Sequence, residues 1–354
     1  MITDYQWIDD NSELEQLILS LKKSDEVAFD SEFERINTFF PKPALFQLNI
    51  NNQFYLIDMK EISNHQVFRV LLDNIILHSG SEDLEIVLNL TGRLPSKIFD
   101  TQIAASLCGY GLHFSYQNSV KEMLGVELSK AHSRSDWLKR PLSEAQLNYA
   151  LEDVIYLHEM KELLSEQLHS LGRESWYHLL IQQKLESIQK PNHVGKTFLK
   201  IAKSSRFDEN KQKLLLSLLQ WREKMAIKRN KPRPWILKNS EIVDIVKFRP
   251  KSDKEMVSQI GLYPKFVQYN GQSIRNLYEQ SEVIGTEELP QVKNLTAEQK
   301  QTFNQFKATL LEQCDKLNIP MALVVNISDL KSLVANGQEL SDIKMWKLIQ
   351  ETSA

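Results

Sequence analysis

The chain has 354 residues, of which 42% are hydrophobic and 25% charged, and its formal net charge at pH 7 is −3. This length suits two or three domains that each bury a core, and the composition is that of an ordinary soluble globular protein. No apolar run approaches the length of a membrane span, so we expect no membrane partner.

The N-terminal residues and the cysteines both bear on the cellular compartment. The first ten residues carry neither the basic flank nor the apolar run of a secretory signal, so we expect a cytoplasmic protein. Cys108 and Cys314 lie far apart, which argues against a disulfide framework or a zinc cluster and fits a reducing compartment.

Charge is distributed unevenly along the chain. Residues 190–254 hold 18 Lys and Arg against 6 Asp and Glu, a local charge of +12, and the rest of the chain carries −15. A concentrated basic block in a nearly neutral protein usually faces a polyanion. Charge alone leaves a solvated helix face open as the alternative.

A strand predicted over Val27–Phe33 follows a helix predicted over residues 12–23 and carries two carboxylates among apolar side chains. Asp30 and Glu32 stand at i and i+2, so they project from one face of the strand. Two like charges raise each other's pKa, and a divalent cation held by hard oxygen ligands reverses that penalty. Taken alone, the pair also fits an exposed edge strand with its acids in water.

Further strands follow in chain order. Asn51-Asn52 joins Ala44–Ile50 to Phe54–Ile57 as a predicted hairpin, so the first three strands are expected to be antiparallel neighbours. Ile75–His78 is a fourth predicted strand. The other elements predicted in this region are a helix near 64–73, a helix from an N-cap at Ser81 to Leu90, a strand over Lys97–Phe99, and helices over 101–108 and 115–124, the first of them capped by Asp100.

Two helical positions complete a candidate constellation with the acidic strand. Asp83 falls in the first turn of the helix after the fourth strand. Ser143 opens a capping box for a long helix over 144–169, on which Tyr149 and Asp153 share one face at i and i+4. Each position has an ordinary structural reading, since acids suit helix N-termini and Tyr–Asp pairs occur on helix surfaces. Jointly, three separate segments each bring a carboxylate to an apolar boundary, where they could meet at one site.

The segments before and after residue 185 differ in character. Strands followed by helices indicate an α/β layer domain over residues 1–185. Residues 186–206 are polar and broken by Pro191 and Gly195, which predicts a linker. The remainder is helical, with one module over 207–285 and a weaker repeat of it over 292–354.

Four stretches of the sequence resemble the three exonuclease motifs of the ribonuclease D family, in the DEDD superfamily of 3′-to-5′ exonucleases. These stretches, in chain order, are Asp30-Ser31-Glu32-Phe33, His78-Ser79-Gly80-Ser81-Glu82-Asp83-Leu84, Asp100-Thr101-Gln102 and Tyr149-x-x-x-Asp153. The resemblance implies an α/β, ribonuclease H-like exonuclease domain, with a mixed sheet flanked by helices, and two all-α HRDC-like domains, the second one degenerate.

The resemblance also implies roles for the candidate residues. Asp30, Glu32, Asp83 and Asp153 would hold two divalent cations, Mg²⁺ or Mn²⁺, and Tyr149 places the chain in the tyrosine branch of the superfamily. With a reference pKa near 10, the Tyr149 hydroxyl suits orienting the attacking water better than abstracting its proton. The products would be nucleoside 5′-monophosphates. For Asp100, the resemblance leaves a site-supporting role open beside its role as a helix cap.

The expected function is a 3′-to-5′ exoribonuclease that trims tRNA precursors and other small structured RNAs, with RNA as its partner and no obligate protein partner. Two alternatives stay open on the sequence. One is a DNA exonuclease of the same branch, because the motifs do not read a 2′-hydroxyl. The other is a non-catalytic RNA-binding scaffold, against which the intact carboxylates argue.

Other residues are candidates for binding the substrate. Phe33 and Gln47 are candidate contacts of the terminal nucleotide and His78 a candidate residue of the site wall, with core or structural roles as the alternative for Phe33 and His78. The candidate contacts of the RNA backbone are Lys224, Lys228, Arg229, Lys231 and Arg233. The nearby Trp221 and Trp235 are expected to be buried anchors of the helical module.

Overall fold

A computed structural model describes residues 4–128, 135–290 and 295–352 of the chain. The described residues form two compact units. The sheet unit contains the residues up to 34, then 41–189 and those from 295 onward; the helical unit contains 35–40 and 190–290.

The sheet unit is built on a six-stranded mixed sheet. The strands are β1 (Gln6–Ile8), β2 (Val27–Glu34), β3 (Lys42–Ile50), β4 (Gln53–Asp58), β5 (Asn74–Leu77) and β6 (Lys97–Asp100). Their order is β1-β4-β3-β2-β5-β6; β2, β3 and β4 pair antiparallel, and the other neighbours pair parallel. The mixed sheet is thus confirmed, and β1 is an edge strand that the sequence pattern did not predict.

The predicted hairpin between β3 and β4 is present. Asn51 and Asn52 have φ values of 52° and 62°, the positive values that a two-residue hairpin of this kind requires. Asparagine tolerates this conformation better than other residues with a side chain, which explains why the sequence signal was reliable.

The helices lie before, between and after the strands. They are α1 (Asn11–Ser20), α2 (Phe68–Leu71), α3 (Ser81–Thr91), α4 (Thr101–Leu107), α5 (Tyr116–Leu124), α6 (Glu144–Ile155), α7 (Leu157–Ser170), α8 (Glu174–Gln189), α9 (His193–Ser205), α10 (Glu209–Arg229), α11 (Arg233–Ile236), α12 (Asn239–Phe248), α13 (Asp253–Ile260), α14 (Pro264–Glu282), α15 (Ala297–Lys316), α16 (Met321–Val324), α17 (Ile327–Ala335) and α18 (Lys344–Thr352). None of the helices in the described ranges has the length and apolar character needed to cross a membrane.

The two faces of the sheet are covered by different helices. Side chains alternate along β2, so Phe29 lies on one face and Ala28 on the other. Phe29 packs in a core with Phe46 and residues of α1, α2 and α3. Ala28 packs against Val154 and Leu157, from α6 and α7. The acidic positions of β2 share the parity of Ala28, so they face α6.

The helix predicted over 144–169 is interrupted. It consists of α6 and α7 with Tyr156 between them. The Tyr116 hydroxyl donates to the Glu152 carbonyl oxygen at 3.0 Å and accepts from the Tyr156 N–H at 3.3 Å. A side chain inserted between backbone groups in this way is a recognised cause of a helix break.

Two predicted helix starts have different outcomes. Ser143 caps α6 through the reciprocal capping box with Gln146, as predicted. Ser81, expected to be an N-cap, is instead the first residue of α3, and Gly80 precedes it as the cap. The turn before α3 forms one residue early because Ser79 takes a left-handed conformation, with φ of 61°.

The C-terminal helices share a core with the rest of the sheet unit. Leu310 and Cys314 of α15 pack in one cluster with Leu164 and Trp176 of α7 and α8. Arg173, just before α8, donates to the Leu107 and Leu317 carbonyl oxygens. Residues 295–352 are therefore part of this unit, and their likeness to a second HRDC domain stays a prediction.

The helical unit differs from its prediction at both ends. The expected linker, 186–206, contains the end of α8 and the whole of α9. Phe198, Ile201 and Ala202 of α9 are buried in the unit's core, and this tertiary burial overrides the local turn residues. Residues 35–40 also belong to this unit.

The two tryptophans of the helical unit have different environments. Trp221 was predicted to be buried; it is half-buried and packs against the core. The prediction that Trp235 is buried was wrong, since 60% of its surface is exposed. Trp235 follows Pro234 in the first turn of a four-residue helix, so its ring lies against the Lys231 ammonium, 5.5 Å from the ring centroid, rather than in the core.

We expect Tyr116→Phe to loosen the junction between α6 and α7, because it leaves partly buried backbone groups at Glu152 and Tyr156 without their partner. The expected local cost is about 1–3 kcal/mol. Hydrogen exchange of a peptide over residues 150–160 measures it. Tyr110→Phe is the control, since it removes a half-buried hydroxyl that accepts from Gln167 elsewhere in the unit. Unchanged exchange at the junction would contradict the assigned role of the hydroxyl.

Candidate active site

The acidic pair predicted on the first long strand lies on one face of β2. Asp30 pairs with Gln47 of β3, and Glu32 pairs with Leu45. The register of β2 against β3 shifts directly after Glu32, which places a bulge where the acidic pair ends. The strand therefore presents both carboxylates towards the helix that covers this face.

Helix α6 supplies the second part of the site. It packs on β2 and β3, with Ala150 and Leu151 in the interface. Tyr149 and Asp153 lie one turn apart, and the Tyr149 hydroxyl donates a hydrogen bond to the Asp153 carboxylate. Trp137 packs beside the Tyr149 ring, with 6.0 Å between the ring centroids.

These two elements bring three carboxylates together. One oxygen from each of Asp30, Glu32 and Asp153 lies within 4.8 Å of the others. Three acids from one strand and one helix therefore surround a space suited to a cation with oxygen ligands.

Asp83 approaches the same region from the other side of β2. It lies in the first turn of α3 and is 8% exposed. Ser31, between the two acids of β2, donates from its Oγ to Asp83 Oδ1 at 2.5 Å. The negative charge of Asp83 contributes to raising the pKa of Asp30. Asp83 is thus electrostatically part of the acidic group, although it is not among the three acids that form the closest cluster.

Burial and mutual repulsion hold protons on these acids. Burial, followed by the charges of Asp83, Asp153 and Glu32, raises the pKa of Asp30 well above its ordinary value. Burial and the neighbouring aspartates raise the pKa of Glu32 to about 9. Burial raises the pKa of Asp153 to about 7, against the lowering effect of the Tyr149 hydrogen bond.

The pKa values of Asp83 and Tyr149 are also raised. Burial raises the pKa of Asp83, and the Ser31 hydrogen bond and the charge of Lys184 partly lower it. Burial, then the charge of Asp153, raises the pKa of the Tyr149 phenol, which therefore stays protonated. A cluster that resists ionisation at neutral pH fits divalent cations, because their charge removes the penalty for losing the protons.

The other predicted contact residues have different surroundings. Phe33 is half-buried against the core on the far face of the sheet. The Gln47 side chain is fully buried, and neither its Nε2 nor its Oε1 has a hydrogen-bond partner among the described residues. His78 has both ring nitrogens engaged, Nδ1 with Thr101 Oγ1 at 2.8 Å and Nε2 with the Phe114 carbonyl at 2.9 Å. Burial lowers the pKa of His78. These surroundings fit the structural role that was the alternative for this residue.

Several residues around the acids were not assigned to the site from the sequence. Ser31 holds Asp83, and Tyr116 shapes the helix break directly after Asp153. Ser31 sits inside the acidic motif, but it points to the face of β2 opposite to the two acids, which gave no reason to assign it to the site. Asp100, predicted as an N-cap, does accept from the Gln102 and Ile103 N–H groups.

Comparison with known proteins gives the family. Residues 5–169 match the family described as 3'-5' exonuclease, and residues 211–277 match the HRDC domain. Ribonuclease D of Shewanella sp. (strain ANA-3) is 30% identical over 324 residues, which cover 90% of this chain and 84% of that protein. The chain belongs to the ribonuclease D family. It is accordingly a 3′-to-5′ exoribonuclease, as the motifs predicted.

Further comparisons agree over the whole chain. Ribonuclease D of Haemophilus influenzae is 30% identical over 354 residues, covering 97% of this chain and 85% of that protein. The crystal structure of Escherichia coli RNase D superposes with a TM-score of 0.85 at 24% identity, covering 99% of this chain and 98% of that one. The fold is therefore that of a ribonuclease D, and with the acidic cluster it implies the use of divalent metal ions.

We expect the stability of the metal-free ribonuclease D chain to fall as the pH rises from about 5 to about 9. The carboxyl pKa values are raised in the folded state, so it binds more protons than the unfolded chain, and this advantage is lost as the pH passes the folded values. Mg²⁺ should therefore raise the melting temperature more at pH 8.5 than at pH 5.5, as thermal unfolding measures.

Potassium chloride at matched ionic strength is the control for this Mg²⁺ effect. It screens the repulsion among the carboxylates but supplies no divalent cation for them to bind. An equal effect of Mg²⁺ at both pH values would contradict the link between the metal and the protonated carboxylates.

Proposed function

We propose that this enzyme removes nucleotides from RNA 3′ ends with two divalent cations, held by Asp30, Glu32, Asp83 and Asp153. The observation that carries the proposal is the convergence of three carboxylate oxygens within 4.8 Å, with Asp83 beside them. Four carboxylates can offset much of the charge of two cations and leave positions for the scissile phosphate. Mg²⁺ and Mn²⁺ both suit an all-oxygen set of this kind.

Bound at this site, the cations would supply a nucleophilic water at neutral pH and stabilise charge on the phosphate and on the leaving 3′ oxygen. The residues of the chain supply the orientation. Tyr149 stays protonated and donates to Asp153, so its oxygen keeps a lone pair for the attacking water. We therefore assign Tyr149 the role of orienting water rather than that of a base, and nucleoside 5′-monophosphates are the expected products.

We propose tRNA precursors and other small structured RNAs as substrates. The E. coli protein of the same fold is described as an exoribonuclease involved in structured RNA processing, which supports this substrate class. The predicted contact of Gln47 with the terminal nucleotide has less support. Its amide is fully buried, so it reaches a nucleotide only if the surrounding side chains move.

The basic residues of the helical unit divide into two groups. Arg233 is committed to a bidentate pair with Glu223, and Arg229 donates to Asn270 at 2.8 Å. Lys224 and Lys228 of α10 are exposed. We propose that these two lysines contact RNA phosphates.

The segment after α10 adds an aromatic surface to these cations. The ring of Trp235 is exposed, and the Lys231 ammonium lies 5.5 Å from its centroid. A cation beside an exposed ring suits phosphate contact together with base stacking, and neither contact depends on the base sequence. Lys231 and Trp235 therefore extend the proposed RNA surface beyond α10.

We expect Asp30→Asn to reduce turnover of a precursor tRNA with a 3′ extension by more than about 100-fold, because loss of a ligand should exceed the effect of losing an outer-shell partner. Release of 5′-monophosphates measures the rate, and fluorescence anisotropy should show nearly unchanged RNA affinity. Asp9→Asn, at an exposed acid of the same unit, is the matched control. Wild-type turnover by the Asp30 variant would remove that residue from the site.

The double variant Lys224→Ser/Lys228→Ser should bind RNA more weakly and with less dependence on salt. Each phosphate contact to single-stranded RNA contributes about 0.7 to the slope of log affinity against log salt concentration. The slope should therefore fall by about 1.4 if both lysines contact phosphates. Lys300→Ser/Lys316→Ser, which removes two exposed lysines from α15, should leave the slope unchanged. Equal slopes in all three proteins would exclude the surface on α10.

A further inference from the structure

A buried ion pair joins Asp100, a residue of the predicted motifs, to Lys184, which belongs to none of them. Asp100, the last residue of β6, is fully buried, and its Oδ2 is 2.5 Å from Lys184 Nζ, in a side chain only 13% exposed. Asp100 also donates its backbone N–H to the Tyr177 hydroxyl at 2.7 Å. Lys184 and Tyr177 both belong to α8, so one helix holds Asp100 at its carboxylate and at its backbone.

The second carboxylate oxygen of Asp100 holds the turn that leads into α3. Asp100 Oδ1 accepts from the Ser79 N–H at 3.1 Å. Ser79 has a φ of 61°, and its carbonyl oxygen accepts from the Ser81 N–H at 2.7 Å. A residue with a side chain adopts this left-handed conformation only where neighbouring groups enforce it. Asp100 is such a group, and it therefore fixes where α3 begins.

The start of α3 determines the position of Asp83. Asp83 is the third residue of the helix, and the Ser31 hydroxyl holds its carboxylate from the β2 side. Two contacts thus determine where this acid lies: Ser31 contacts it directly, and Asp100 acts on the turn before it. A shift of the turn would move Asp83 relative to the carboxylates of β2 and α6, which lie on other elements.

The ion pair is what makes Asp100 a rigid support. A buried carboxylate that loses its cation becomes an uncompensated charge, and its surroundings rearrange or admit water. Lys184 also carries its positive charge close enough to lower the pKa of Asp83 in part, after burial has raised it.

We propose that Lys184 is a positioning residue of the metal site, acting through Asp100 and the Ser79 turn on Asp83. Lys184 lies outside residues 5–169, the part of the chain that matches the 3'-5' exonuclease family. Helix α8 would thus complete a site whose acids all come from the matched part. The proposal rests on the proposed role of Asp83 as a metal ligand.

The test compares metal affinity, turnover and stability in the full-length chain. Mn²⁺ is titrated by calorimetry into metal-free protein, kcat and KM are measured on a precursor tRNA with a 3′ extension, and the melting temperature is recorded. We expect Lys184→Met to weaken Mn²⁺ binding and lower kcat by about 10–100-fold, the range typical of outer-shell changes, with KM for RNA unchanged. Lys184→Arg keeps a cation against Asp100 and should recover most of both losses.

A variant with the same chemical change separates positioning from general stability. Lys161 pairs with Glu26 in the same unit, so Lys161→Met also removes a partly buried ion pair. It should lower the melting temperature without changing the Mn²⁺ dissociation constant. If Lys184→Met folds and keeps wild-type Mn²⁺ affinity and kcat, the positioning role is overturned.

Two further variants resolve the remaining outcomes. Asp83→Asn tests the underlying assignment: unchanged Mn²⁺ affinity in that variant would overturn the ligand role of Asp83, and with it the reason to position that residue. If Lys184→Met does not fold, Lys184→Gln replaces it as a milder change that also removes the cation from Asp100. Weaker Mn²⁺ binding by the Lys184→Gln variant supports the proposal, and unchanged binding overturns it.

Discussion

Repulsion among four carboxylates is the constraint on which the rest of this site depends. Asp30, Glu32 and Asp153 are close enough to share a cation, and Asp83 adds its charge from the adjacent helix. Without cations, burial and like charge keep protons on the acids, at a cost to the folded state. The scaffold must therefore hold these groups against their own repulsion, and it does so with a strand in mid-sheet and two helices packed on opposite faces.

Two of the four acids, Asp83 and Asp153, are positioned by contacts from a distant part of the chain. Ser31 binds Asp83 across 52 positions, and the Tyr116 hydroxyl fixes the backbone beside Asp153 by filling the break between α6 and α7. Asp100 holds the turn before α3. Such contacts explain how these acids keep their positions although, apart from the pair on β2, they lie far apart in the sequence.

Much of this arrangement could be predicted from local patterns. The i, i+2 spacing on β2, the i, i+4 spacing of Tyr149 and Asp153, and the capping box at Ser143 are each fixed by the geometry of one element. The failures involve tertiary contacts. The break at Tyr156 depends on a hydroxyl 40 residues earlier, and α9 begins shortly after Pro191 and continues through Gly195 because its apolar face enters a core.

The difference between local patterns and tertiary contacts also explains why the sequence did not point to Lys184. Its partner, Asp100, lies 84 positions away in the sequence. A lysine two residues before a glutamate is typical of a solvent-exposed helix surface. Helix α8 packs on α4 through one side and on α18 through another, so its position depends on the C-terminal helices as well as on the sheet. Those helices contribute no acid to the described cluster. They would contribute to catalysis indirectly, because they pack against α8, the helix that holds Asp100.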